Sequence, residues 1–290
     1  MHAGVNDATM TLVSLQRVHG ISCLVGGPAF GDEWAVALRR LDSGRVDVGL
    51  HLDFTEFPLL SISHRRLLPL IAASLLRQLD GRSIRAEIKA QLDRFESSLG
   101  RAPAFVDGHQ HVHQLPIVRR ELLDELMHRY RTALPWLRST RVRPARASTG
   151  RRWWLGAKAR GIEWLGCARL RSSALRSGFA QNHSLLGVYD FKGGAQTYRG
   201  LLRSWVGAAH DGDLLLCHPS SGWAPHDPIA AARLSEFEVL ASHDFASGLH
   251  DAAVALAPMS AILVPCGHRS TQSDPTATDD DGTHSGRCAS

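Results

Sequence analysis

Short runs of apolar and β-branched residues alternate along this chain with longer stretches of helical period. That alternation restricts the fold more than any other feature of the sequence. The runs "ISCLV" (21–25), "VDVGLHL" (46–52), "AFVD" (104–107), "TRVR" (140–143), "DLLLCH" (213–218) and "AILV" (261–264) read as strands, several of them apolar almost throughout. Strands without a polar face belong to parallel sheets covered on both sides. Between them, Ile84, Ile88, Leu92, Phe95 and Leu99 step by three or four along one helix, which Ser83 is placed to cap and Gly100 to stop, with Pro103 just beyond. A second helix follows Pro116 with Leu122, Leu123, Leu126, Met127 and Tyr130 inward. "LLPLIAASLL" (67–76) suits a buried helix, and two more fill 195–209 and 229–256. Strand and helix in alternation predict an α/β fold with a parallel sheet or barrel, in which chemistry collects at the C-terminal ends of the strands.

Histidines fall at those ends. His51 lies near the end of the second run, His218 closes "DLLLCH", and "FVDGHQHVHQLP" (105–116) sets His109, His111 and His113 directly behind Asp107. A lone strand-end histidine is more often a hydrogen-bonded structural residue, but three strands delivering histidine at one end point to a shared site. In extended geometry the three clustered histidines face one side. Neutral imidazole is a ligand for divalent zinc, nickel, copper or iron, whereas magnesium prefers oxygen. A hydrolytic metal keeps a position open for water and often includes a carboxylate. Asp107 is better placed to orient a ligand than to bind, and Asp53 lies two residues beyond His51 on the same strand face.

Composition narrows the class. A chain of 290 residues, 44% hydrophobic, can bury the core of one large domain. No apolar run approaches the roughly 20 residues needed to span a bilayer, and the start lacks the pattern of a signal peptide. The five cysteines, Cys23, Cys167, Cys217, Cys266 and Cys288, are scattered, which speaks against a disulfide framework and for a reducing, cytoplasmic setting. The net charge of +5 is concentrated: from Arg138 to Arg176 arginines and Lys158 face a single acid, Glu163, in company with Trp136, Trp153, Trp154 and Trp164. This segment reads as a basic, tryptophan-rich insertion or lid over about 145–185, more readily a solvated helical face than a nucleic-acid surface. Nucleic acid is therefore not expected as a partner, and the segment is the sole hint of a homodimer. From Gly267 the chain is polar and without period, so 1–266 is expected to form the domain and 267–290 a disordered tail.

The segments "VGLHLDFTE", "FVDGHQHVHQLP", "LLLCHPS" and "DPIAAARLSEFEVLAS" resemble signature stretches of the YdjC-like carbohydrate deacetylases, which include chitooligosaccharide and hopanoid-associated deacetylases, over roughly residues 1–265. The resemblance implies a distorted, TIM-like β/α barrel that uses a divalent metal, magnesium in the family, to hydrolyse an acetyl group from an N-acetylated carbohydrate; zinc or another transition metal is the alternative. It implies His51 and His109 as metal ligands. A third ligand and the catalytic base would come from adjacent aspartates in an Ala-Asp-Asp-Phe/Tyr-Gly motif ending the first strand. This chain shows no such pair, and Gly4, Val5 and Asn6 match the residues that come after it in the family. The expectation is thus a sequence that begins one strand late, with its first strand and base missing, and a nearly inactive product. Asp7 should already lie inside the first helix. His218 is the candidate general acid, with a pKa near neutrality, while Asp107, His111 and His113 bind substrate or orient ligands. Gly108 stands where serine is common, and Ser220 where glycine often is. Two alternatives stay open: a metal-dependent phosphoesterase of the His-x-His barrel type, which lacks here a second carboxylate-rich cluster and a phosphate loop, and a non-catalytic basic binding protein built on Arg138 to Arg176.

Overall fold

A computed structural model describes residues 2–60, 66–143 and 160–263. Among these residues six parallel strands are present: β1 (Gly20–Cys23), β2 (Asp47–Leu52), β3 (Phe105–Gly108), β4 (Trp136–Leu137), β5 (Leu185–Leu186) and β6 (Leu214–Leu215). The first four form one sheet in chain order, and the last two pair with each other. A parallel bridge between Leu137 and Gln181 continues the sheet past β4. Among the described residues no strand pairing closes β6 back onto β1, so the observed class is α/β with a parallel sheet.

The helices described over their full length include α1 (Ala3–Ser14), α2 (Asp32–Arg39), α3 (Leu67–Leu75), α4 (Gly81–Leu99), α5 (Pro116–Tyr130), α6 (Cys167–Arg176), α7 (Gly194–Val206), α8 (Ala230–Ala241), α9 (His243–Asp251) and the single turn α10 (Met259–Ile262). One core lies between the four-stranded sheet and α2, α4, α5 and α6, with Val48, Leu50 and Leu52 of β2 at its centre. The inward row of α4, from Ile84 to Leu99, is buried there, at roughly 1.5–3 kcal/mol per large side chain relative to exposure. A second core joins Leu12 of α1 to Tyr198 and Leu202 of α7, Val239 and Leu240 of α8, and Phe245 and Leu249 of α9.

Several sequence-based expectations need correction. The cap of α4 is Asp80, not Ser83: its carboxylate accepts from the backbone N–H groups of Arg82 and Ser83, each at 3.1 Å, which is what an N-cap oxygen does for the orphan donors of a first turn. Gly100 does end α4, in the left-handed region at φ 69. "LLPLIAASLL" is a helix but only half buried, since Leu70 and Ala73 face inward while Leu68 and Leu76 are 76% and 66% exposed. The stretch 229–256 is two helices, broken at Ser242, whose hydroxyl accepts from Phe245 N–H to start α9. "TRVR" is not a strand. The strand forms earlier, at Trp136–Leu137, because Asn182 then takes over the backbone of Ser139, accepting from its N–H (2.7 Å) and donating to its carbonyl (3.0 Å) in place of a ladder neighbour. "AILV" begins as the end of α10, which follows Pro258 and packs Met259 against Phe105 and Trp136; Val264 lies outside the described residues. The tail 267–290 and residues 144–159, with Trp153, Trp154 and Lys158, also lie outside them. No described helix is long and apolar enough to cross a membrane.

Candidate active site

Three adjacent strands place one polar side chain each on the same spot. In the β2–β3 register His51 stands beside Asp107, and Ser22 comes from β1. Asp107 Oδ1 lies 2.7 Å from His51 Nδ1 and accepts from Ser22 Oγ at 2.5 Å. Its other oxygen accepts from Arg138 Nη1, and both members of that ion pair are only 2% exposed. Burial alone would raise the Asp107 carboxyl pKa, but Arg138, His51 and Ser22 hold it far below the usual carboxylate range. Arg138 Nη2 also donates to the Gly108 carbonyl (2.5 Å). Thus Asp107 is committed three ways and fixes the His51 ring.

The histidine cluster is not extended, and its three side chains do not share a face. Residues His109–Gln114 form tight turns in which Gln110 and His111 have φ of 49 and 62. Glycine at 108 lets the chain fold back this closely, since a Cβ there would lie 2.8 Å from the backbone nitrogen and from Nδ1 of His113. The histidines then part. His109 turns to His51, their ring centroids 5.4 Å apart at 72°. His111 Nδ1 lies 3.2 Å from Arg138 Nη2. His113, fully buried, donates from Nε2 to the Arg138 carbonyl at 2.9 Å. Burial and the Arg138 charge lower the pKa of both, that of His113 to about 3, so these two rings are neutral at physiological pH.

Around this centre, Glu56 Oε1 lies 3.0 Å from His109 Nε2, yet that nitrogen is buried without an aligned hydrogen bond. Glu56 is a site residue that the sequence reading missed. It is held there by Asp53, whose carboxylate accepts from the backbone N–H groups of Thr55 (2.8 Å), Glu56 (3.1 Å) and Phe57 (2.6 Å). Asp53 is therefore spent on a turn and is not a free base. Asp7 is exposed on α1. His218 follows β6 by three residues; its backbone N–H donates to Glu236 of α8, and Phe191 packs edge-on at 5.2 Å between centroids. Burial, with the charges of Arg233, His51, Arg138 and His109, lowers the His218 pKa to about 3 rather than leaving it near neutrality.

The histidine pair fits part of a metal site. An imidazole whose Nδ1 is anchored by a buried carboxylate, as His51 is by Asp107, presents Nε2 in the manner of a metal ligand, and the ring of His109, whose buried Nε2 lies 3.0 Å from Glu56 Oε1, stands next to it. Among the described residues no three His, Cys, Asp or Glu side chains gather closely enough to hold an ion. His51 and His109 thus bring two imidazoles together among the described residues, without a third such side chain beside them.

The model of a family described as YdjC-like protein matches residues 1–251. A carbohydrate deacetylase of Homo sapiens is 32% identical over 189 residues, 61% of this chain and 54% of that protein. A carbohydrate deacetylase of Mus musculus is 38% identical over 110 residues, 38% of this chain and 32% of that one. The chain thus spans about half the length of the human relative and about a third of the mouse one. The crystal structure of an Enterococcus faecalis V583 protein named for cellobiose-phosphate cleavage superposes with a TM-score of 0.60 at 17% identity, covering 90% of this chain and 94% of that one. This last likeness shows a common fold.

Proposed function

The chain belongs to the YdjC-like family, and on that premise we propose that it is a hydrolase that removes an acetyl group from an acetylated, N-acetyl carbohydrate. The observation that supports this most is the Ser22–His51–Asp107–Arg138 network with His109 folded back beside His51, together with the carbohydrate deacetylases among its relatives. We read the parallel sheet as the main arc of a distorted β/α barrel, a reading that its chain-order strands support.

In this reading His51 and His109 hold a divalent metal. Such an ion, when bound, supplies Lewis acidity at the acetyl carbonyl and a lowered pKa for water. The family resemblance favours magnesium, while two imidazole donors suit zinc or another transition metal. The protein's own part is positional. Asp107 keeps the His51 tautomer with Nε2 outward, and Arg138 keeps Asp107 ionised. The neutral rings of His111 and His113 line the turn without adding charge to a site already holding a buried guanidinium. His218 protonates the departing sugar amine as the C–N bond breaks.

The test is release of acetate from an N-acetylglucosamine oligomer, assayed beside p-nitrophenyl phosphate, with metal content measured before and after chelation. His51→Ala and His109→Ala are expected to lose the metal; His218→Ala is expected to keep it and lose turnover. Full metal content in both of the first two variants would remove the ligand assignment, and phosphatase activity without acetate release would replace the reaction.

A further inference from the structure

On its own, His218 is a neutral imidazole at neutral pH, and the residues behind it show where the second proton is kept. Glu236, on α8, is fully buried. One of its oxygens accepts from the backbone N–H of His218 and the other from Tyr189 OH at 2.7 Å. That second oxygen lies 3.9 Å from His218 Nδ1, which is itself buried and has no hydrogen-bond partner. A carboxylate oxygen has two lone pairs, so Tyr189 does not block a second donor. A direct hydrogen bond requires Nδ1 to approach this oxygen by about 1 Å. Arg233 does not compete for the carboxylate, because its guanidinium is spent on Asp227 (2.6 Å) and on the His218 carbonyl (3.1 Å).

We propose that Glu236 is a positioning residue for His218: its buried carboxylate accepts from Nδ1–H of the protonated ring and so aims Nε2–H at the leaving nitrogen. The proposal rests on His218 being the acid. Burial raises the Glu236 pKa to about 7, against the pull of His218 N–H, Tyr189 and Arg233. Glu236 thus holds a proton up to about pH 7 next to His218 Nδ1, and as a coupled pair the two can pass that proton to the ring when the contact closes. As the C–N bond breaks, the proton on Nε2 passes to the amine nitrogen, the ring becomes neutral with Nδ1–H held by Glu236, and solvent restores the proton afterwards. The other charged or titratable groups that act on the pair are Cys217, Tyr198 of α7 and Arg233 of α8, with His51 of β2, His109 of the turn after β3 and Arg138 just after β4.

The experiment tracks the His218 ring in the full chain labelled with 15N-histidine, using two-bond proton–nitrogen correlations from about pH 2 to 9, with His218→Ala to identify the signal. Glu236→Gln is expected to lower the pH at which the ring protonates by about one unit or more, the usual effect of losing an opposite charge at this range, and Glu236→Asp to fall between. Tyr189→Phe, which frees the oxygen, is expected to raise it. In turnover, Glu236→Gln is expected to lower kcat about tenfold or more with KM little changed, the scale of a mispositioned general acid. An unmoved His218 titration in both Glu236→Gln and Tyr189→Phe overturns the proposal, even if thermal stability falls. Should His218→Ala keep full turnover, the acid assignment fails separately, and the titrations still decide the pairing. If Glu236→Gln does not fold, Tyr189→Phe carries the test.

Discussion

Replacing Asp107 by asparagine removes one charge from a pair whose side chains are 2% and 3% exposed. The asparagine keeps the shape and one oxygen acceptor, but it leaves the Arg138 guanidinium buried with only neutral partners. Breaking a buried ion pair in this one-sided way costs about 3–5 kcal/mol. At roughly 2–4 °C per kcal/mol for a domain of this size class, the thermal midpoint should fall by roughly 6–20 °C. The pH dependence is set by the sign of the shift. The folded carboxyl is held below its unfolded value, so its contribution is fully present above about pH 4 and fades only as pH falls further toward the depressed folded value. The loss in Asp107→Asn should therefore be constant from pH 5 to 8. Asp124→Asn is the control: its pair with Arg85, at 3.2 Å, has side chains 46% and 42% exposed, and such surface pairs contribute at most about 1 kcal/mol. Urea unfolding of the two variants gives the comparison. A second check is the double variant Asp107→Asn with Arg138→Met, which removes the stranded cation and should recover roughly half of the loss. If Asp107→Asn costs no more than Asp124→Asn, Arg138 is not confined by the carboxylate and the account of the His51 anchor is wrong.

Three further outcomes concern single positions. Asp80→Ala should cost about 1 kcal/mol in urea unfolding, because it leaves the Arg82 and Ser83 N–H groups of α4 without their acceptor. Gly49→Ala should cost about 1–3 kcal/mol, since the new methyl would lie 2.5 Å from the ring of Phe105, which is itself stacked on Trp136 with centroids 4.4 Å apart; an unchanged unfolding midpoint would show that this ring can move. Cys23, fully buried with its thiol pKa pushed up by burial and by Asp107, should resist alkylation in the native chain and react only on unfolding, as peptide mapping after iodoacetamide would show.

The parts of this fold that are legible in the sequence are those that depend on short-range pattern. The inward row of α4 is visible in its three-and-four spacing, and β2 in its continuous apolar run, because both are decided by residues that meet within one turn or one strand. The end of the Trp136 strand was not legible, because Asn182, 43 residues away from Ser139, replaces the ladder there, and nothing local announces such a partner. Glu56 was more accessible: Asp53 followed by Thr55 and Glu56 is the pattern in which an aspartate side chain caps its own turn, and recognising it would have placed Glu56 at the tip of a tight loop directly after His51. The histidine cluster misled for a definite physical reason. Alternate spacing predicts one shared face only if the backbone is extended, and here a buried cation decides otherwise. Arg138 brings its guanidinium to the end of β3, where it takes the Asp107 carboxylate and the Gly108 carbonyl, while its own carbonyl takes His113. The turn that satisfies those groups sends His111 and His113 toward positive charge, where neither ring takes up a second proton at neutral pH, and leaves His109 alone to face His51. The division of labour among the three histidines is thus set by Arg138 and not by their spacing, and a chain with the same motif but no buried cation behind it would be free to arrange them differently.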